Sequence, residues 1–332
     1  MKRIIIGLAI VIFSVGFLSG QGRAETKTIT LKAFASWPVT NNNVDTFKHF
    51  IQLVNERSKG ALEIKLMGGP ELISVKESLG SLGRGVMDME HSNNIHFAIS
   101  QVADFASSPE VAVNVWQDPE LVRLVSAYYA AKANIVVLGS AGNTARFYVA
   151  TSKKAVTKLE DVKGLRLRTH GGLSNVVTTA LGAAPATIPT AEVYTALERG
   201  VVDGAMRALP SMVDFNESEV LKNVVTPNMF MGNAMICLNQ DSWKKLPANL
   251  QKLLQDAVAD NLRWAETYYE DLEKKSRETL AKKGVKFNAV AKDELVRWRK
   301  ALDQPQRDWY LKQAGPEGKA VLSILDKHEK MR

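Results

Sequence analysis

The chain has 332 residues, 45% of them hydrophobic and 23% charged, with mean hydropathy −0.12. That composition excludes a disordered polypeptide and fits one large domain or two intertwined lobes better than a string of modules. Forty-three Lys and Arg against 35 Asp and Glu give +8. Three of the cations (Lys2, Arg3, Arg23) fall in the N-terminal segment, so 40 minus 35 leaves +5 beyond it. Acids and bases are interspersed without a long like-charge run, which argues against a phosphate-tracking stripe and against nucleic acid as a partner.

Residues 1–24 read as an export signal. Lys2 and Arg3 precede an apolar run from Ile4 to Leu18, and Gly22 and Ala24 set small residues at −3 and −1 of a cleavage site, so the mature chain is expected to begin at Glu25. The run is shorter than the ~20 residues a spanning helix needs. No later stretch is longer and apolar, so the mature protein is expected to be free in the periplasm rather than embedded in the membrane. The single Cys237, inside the apolar run Ala234–Leu238, has no internal disulfide partner and reads as a buried structural thiol.

Beyond the signal, Thr28–Phe34 alternates as a strand. Val44–Lys59 carries Phe47, Phe50, Ile51 and Val54 at helical spacing before Gly60. Leu62–Leu66 reads as a strand, Val75–Arg84 as a helix stopped by Gly85, and Val86–Glu90 as a strand. A second series follows: strand Leu165–Thr169, helix Leu173–Leu181, short strand Ala186–Ile188, helix Thr190–Arg199 and strand Val201–Met206. Strands and helices alternating with short connections predict a parallel sheet covered by helices. The halves repeat: Leu82–Asp88 matches Leu197–Asp203, and Gly68-Gly69 matches Gly171-Gly172. Two similar lobes with a cleft between them are expected, with 25–145 mainly in lobe 1 and 146–240 mainly in lobe 2.

Residues 241–332 read as helices bracing both lobes. From Pro247 to Gly284 there is no interior Gly or Pro, and Leu250, Leu253, Leu254, Ala257, Val258, Asn261, Ala265, Tyr268 and Leu272 hold helical spacing. A helix of ~35 residues runs ~50 Å, about the length of a two-lobed body. Lys292–Tyr310 and Pro316–Lys330 complete the chain as helices.

No nucleophile elbow, dinucleotide or phosphate loop, zinc-protease or dithiol motif occurs, and the five histidines show no metal-ligating spacing, so no enzyme, cofactor or metal is expected. What stands out is arginine near strand ends. Arg146 opens the strand Phe147–Ala150, Arg168 ends Leu165–Thr169 just before Gly171-Gly172, and Arg207 follows Asp203-Gly204. Ligands of parallel α/β sheets bind beyond the carboxyl ends of strands, and a guanidinium there can clamp a carboxylate with two parallel hydrogen bonds. Arg166 and Arg168 share a face of their strand, so periodicity does not choose between them.

The stretches Leu159–Thr169, Leu181–Pro185 and Glu192–Gly204 resemble the core signature of the TRAP-transporter solute-binding proteins, the DctP-like family, and a looser likeness covers nearly all of the mature chain. The resemblance implies a periplasmic-binding-protein-like fold, capture of a small organic acid, and delivery to membrane permease subunits; the alternatives are a sensor presenting its liganded form to a receptor and, after it, a periplasmic enzyme. It also implies that Arg168 is the carboxylate clamp, that Arg146 matches a second arginine used by some members, and that Ser92, Asn93 and Trp37 lie beside the ligand. Thr190 joins them in the expected substrate-binding set. One departure concerns Arg207, which stands where members carry a ligand-contacting Asn or Trp: either it adds a third cation to the cleft, suiting a dicarboxylate, or it turns to Glu217 or Glu219.

Overall fold

In a computed structural model of the protein, which describes residues 28–331, the chain opens with β1 (Ile29–Ala35), α1 (Asp45–Arg57), β2 (Leu62–Gly68), α2 (Val75–Gly83) and β3 (Met89–Asn93). The expected export signal lies outside the described residues. β1 pairs in parallel with both β2 and β3. After a 3-10 segment at Ala98–Phe105 come α3 (Pro109–Gln117), α4 (Pro119–Ala133) and the 17-residue strand β4 (Ile135–Thr151). The second series is α5 (Leu159–Val162), β5 (Arg166–Thr169), α6 (Leu173–Ala180), β6 (Ala184–Thr187), α7 (Val193–Glu198), β7 (Gly204–Ala208) and α8 (Leu209–Asp214). Here β5 pairs in parallel with β6 and β7.

The repeat seen in the sequence has a physical signature. In the first half the Asp88 carboxylate accepts from the Lys32 amide of β1 at 2.9 Å while the Asp88 amide donates to the Lys32 carbonyl at 2.9 Å. In the second, Asp203 makes the same clasp on Arg166 of β5, at 2.8 Å in both directions. Each clasp ties the turn before β3 or β7 to the neighbouring strand. By this measure β5 corresponds to β1, not β2. The two Gly-Gly pairs are therefore not equivalent: Gly68-Gly69 follows the edge strand β2, whereas Gly171-Gly172 follows β5, which is flanked by β7 and β6.

The chain then runs through β8 (Asn223–Thr226), β9 (Phe230–Asn239), α9 (Gln240–Lys244), α10 (Ala248–Lys282), β10 (Lys286–Ala289), α11 (Lys292–Ala314) and α12 (Gly318–Lys330). One mixed sheet has the order β2-β1-β3-β9-β4-β7-β5-β6, with β8 on β4 and β10 on β8. β9 pairs antiparallel with β3 through Ala234–Leu238 and with β4 along almost its whole length. β4 in turn pairs β7 through Phe147–Thr151. These two long strands carry the chain from one lobe to the other, and the expected boundary at 145/146 falls inside β4.

Sequence reading found only Phe147–Ala150 of β4 and neither α3 nor α4. The reason lies in residues 139–145, Gly-Ser-Ala-Gly-Asn-Thr-Ala, where the register of β4 on β9 slips three times between Val137 and Ala145. A small-residue, bulged segment has no apolar alternation to read. At Gly142, with φ +134°, an added Cβ would stand 2.6 Å from the Ala265 Cβ of α10, so the close passage of helix over strand requires glycine there.

Each lobe has its own core. Leu31, Ala33, Phe47, Phe50, Ile64 and Ile236 pack with the first half of α10 (Leu250, Leu254, Val258). In the other lobe Tyr148, Ala205, Leu209, Met212 and Val224 pack with Leu280 near the end of α10. That 35-residue helix, about 50 Å long, is thus buried against both lobes. α11 repeats the device: Trp298 and Leu302 join Val149, Leu167 and Phe230, whereas Tyr310 and Ala314 join Val125, Val137 and Met235. Cys237 is buried in β9.

Candidate ligand-binding site

Register places the three candidate arginines on one face of the second lobe's sheet. Arg168 stands opposite Ala205 of β7, two residues before Arg207; Arg207 stands opposite Tyr148 of β4, two residues after Arg146. Residues two apart on a strand share a face, so all three side chains belong to the face covered by α7, α8 and the second half of α10. Their partners differ sharply.

Arg207 is 3% exposed and bidentate to Glu217, with Nε and Nη2 donating at 2.7 and 2.6 Å. Its guanidinium carbon lies 5.2 Å from the centre of the Phe215 ring. Of the two acids open to it by sequence, Glu217 is therefore the partner; Glu219 instead accepts from the Tyr194 hydroxyl at 2.6 Å. Arg146 ion-pairs with Glu270 of α10, beside Tyr148, whose hydroxyl donates to Glu273 at 2.6 Å. Both arginines are electrically closed.

Arg168 is not. It is 2% exposed; its Nε donates to the Ile188 carbonyl at 2.9 Å and its Nη2 to the Thr190 hydroxyl at 3.3 Å. Two of five guanidinium N–H groups are thereby used. Among the described residues no carboxylate is ion-paired with it. Burial pulls its pKa down to about 10, the neighbouring charge of Arg207 adding to the shift and Glu217 opposing it, so the group stays cationic at neutral pH. Arg166 of the same strand is exposed, which resolves what periodicity left open about burial.

His170 follows β5 and packs among Phe147 and Phe230, with ring centroids at 4.8 and 5.9 Å. Burial, with Arg168 and Arg207 nearby, pushes its pKa to about 3, so it adds no charge.

On the first lobe, Trp37, Ser92 and Asn93 are brought together at the ends of β1 and β3. The Ser36 hydroxyl joins these ends, accepting from the Asn93 amide at 3.3 Å and donating to Glu90 at 2.9 Å. Ser92 is buried, its hydroxyl donating to the Asn93 carbonyl at 3.3 Å, and the Asn93 side chain caps the turn that follows by accepting from the Ile95 amide. The half-buried Trp37 packs at 5.1 Å on His91, itself stacked on Phe47. Sequence reading missed Glu90 and His91, whose only signal was their place immediately before Ser92-Asn93. Outside these groups, Asn42 bridges the lobes directly, donating to Asp214 of α8 at 2.8 Å. Among the described residues no cluster of three or more His, Cys, Asp and Glu is arranged to hold a metal ion, and no helix is long and apolar enough to cross a membrane.

A family model described as bacterial extracellular solute-binding protein, family 7, matches residues 34–313. The chain is 26% identical over 277 residues to the C4-dicarboxylate-binding periplasmic protein DctP of Rhodobacter capsulatus, spanning 81% of this chain and 82% of that one. It superposes on a TRAP periplasmic solute binding protein from Desulfovibrio salexigens with bound orotic acid, at TM-score 0.79 and 19% identity, over 92% of this chain and 99% of the other. A Bordetella pertussis extracytoplasmic solute receptor binding pyroglutamic acid gives TM-score 0.77 at 20% identity over 90% and 100%. These relatives are named for the solutes they bind. With its family match running from β1 into α11, this chain belongs to the DctP family of TRAP-transporter solute-binding proteins, and it is not an enzyme.

Proposed function

We propose that the protein captures a small organic acid between its lobes, holds the carboxylate on Arg168, and delivers it to the membrane permease of a TRAP-type transporter. The observation that carries this reading is a buried guanidinium with no carboxylate partner. An ion taken out of water costs several kcal/mol unless it is paired. A ligand carboxylate docking on the three remaining N–H groups would supply the missing charge. Thr190 and the Ile188 carbonyl hold the fork in place, and we propose Trp37, Ser92 and Asn93 as the facing wall on the other lobe. The orotic acid and pyroglutamic acid named for two structural relatives each carry one carboxyl group, which supports an acid as the class.

Lobe closure follows from the same geometry. A ligand touching Arg168 on one lobe and the β1–β3 ends on the other interacts more strongly with the closed arrangement, and so shifts the population toward it. We propose β4 and β9 as the hinge, since they are the strands shared by both lobes. Export, with cleavage after Ala24, places capture in the periplasm.

A thermal-shift screen of the chain from Glu25 onward against carboxylic acids tests the proposal. A ligand at 100 times its dissociation constant adds about 2.7 kcal/mol to stability, a shift of several degrees. A folded sample that responds to no carboxylate in a broad panel would sink the reading.

A further inference from the structure

We infer that the ligand presents a single carboxylate to this protein, and that Glu217 is the residue that refuses a second one. The inference rests on the proposed capture of an acid at Arg168 and narrows its substrate class. Of the three candidate guanidinium groups that share one face of the second lobe's sheet, Arg168, Arg207 and Arg146, two are matched by carboxylates of the chain itself: Arg207 by Glu217, buried and bidentate, and Arg146 by Glu270. Only Arg168 is left to be neutralised from outside.

The Arg207–Glu217 pair is almost wholly buried, with the two side chains 4% and 0% exposed. At 2.6–2.7 Å the two charges act at a distance as a dipole, and a second ligand carboxylate approaching Arg207 meets the Glu217 charge at nearly the same range. Asp214, at the end of α8, lies close enough to Arg207 to feel its field and adds further acid to the same corner. His170 is held neutral by burial and cannot compensate. A dicarboxylate would therefore bury one charge with a partner and one without, which disfavours its binding. The remainder of the ligand is expected to be neutral and polar or aromatic, suited to the Trp37 ring and the Ser92 and Asn93 groups opposite. On this point the chain departs from its Rhodobacter capsulatus relative, which is named for C4-dicarboxylates.

The test is calorimetry on the mature chain with matched pairs of acids of equal carbon number, one carboxyl against two, running from three to eight carbons. The wild type is expected to bind the better monocarboxylates at least tenfold more tightly than their dicarboxylate counterparts. Glu217→Gln, which frees the Arg207 charge while keeping the side chain's shape, is expected to shift that ratio at least tenfold toward dicarboxylates. Glu217→Asp, which keeps the charge, should hold the wild-type preference. Dicarboxylates winning on the wild type would overturn the inference and leave acid capture at Arg168 standing. A Glu217→Gln ratio within threefold of wild type would overturn the role given to Glu217. Binding of neither class would overturn the capture reading and this inference with it. If Glu217→Gln does not fold, the wild-type pairs alone decide the charge of the ligand.

Discussion

Glu90 and His91 are neighbours on β3, so their side chains face opposite sides of the sheet, and both are sealed from solvent. Glu90 lies opposite Cys237 of β9, with one carboxyl oxygen accepting from Ser36 and the other without a partner among the described residues. Burial pushes its pKa up to about 7, against the pull of the Ser78, Ser36 and Ser92 hydroxyls. Folded Glu90 thus holds a proton that the unfolded chain releases above about 4.5, and the native state binds more protons between those values. Stability from this group falls as pH rises through that window, by roughly 2–3 kcal/mol between pH 5 and pH 8. Glu90→Gln should remove the slope, gaining that amount relative to wild type over the same interval. Denaturant midpoints at the two pH values check it, and parallel pH profiles for the two proteins would refute it. His91 acts in the opposite sense: burial holds it near 3, so its contribution is lost as pH drops below 6.5. The wild-type curve alone mixes both, and the difference between variant and wild type isolates Glu90. Residues of this kind are poorly legible in sequence, because alternation reveals which residues share a face and not that both faces are covered. The place of Arg168 near the end of a strand was legible in the sequence, and its lack of a carboxylate partner was not. The choice of Glu217 over Glu219 as the Arg207 partner was not, since both sit in one turn, Glu217–Glu219, and only the folded path of that turn decides.

Among the elements, α10 was read from sequence nearly to the residue, because an uninterrupted 3.6-residue pattern without interior Gly or Pro has few alternatives. β4 was read only at one end. Its middle is specified by tertiary contact: Gly142 lets α10 pass close, and no local pattern announces that. Gly142→Ala would drive a methyl into Ala265 at a backbone angle L-residues avoid, and overpacking of this sort typically costs about 1–3 kcal/mol. The expected result is a lower unfolding midpoint that Ala265→Gly in the same chain restores in part. Full stability in Gly142→Ala would mean that strand and helix separate freely at this point.

At the scale of the whole molecule, two lobes with separate cores are tied by four elements, β4, β9, α10 and α11. Proposed closure must bend or slide these without breaking either core, and Asn42–Asp214 already spans the lobes. Small-angle scattering of the mature chain should therefore show a smaller radius of gyration with saturating acid at unchanged mass; superimposable profiles would count against a hinge. Two-lobe organisation was legible in the repeated Asp88 and Asp203 segments, whereas the sharing of β4 and β9 was not, because it joins strands about a hundred residues apart.

All of the proposed action passes through one unpaired guanidinium. Truncating one partner of a desolvated charge pair costs about 2–5 kcal/mol, which at ~1.4 kcal/mol per decade is roughly 30-fold to several thousandfold in affinity. The deciding measurement is calorimetry of wild type, Arg168→Ala, Arg168→Lys and Arg166→Ala with the acid that gives the largest thermal shift. The expected result is a loss of that size for Arg168→Ala, partial recovery with lysine, which keeps the charge without the planar fork, and near-normal binding for the exposed Arg166→Ala. Arg168→Ala binding within threefold of wild type would contradict capture at this residue.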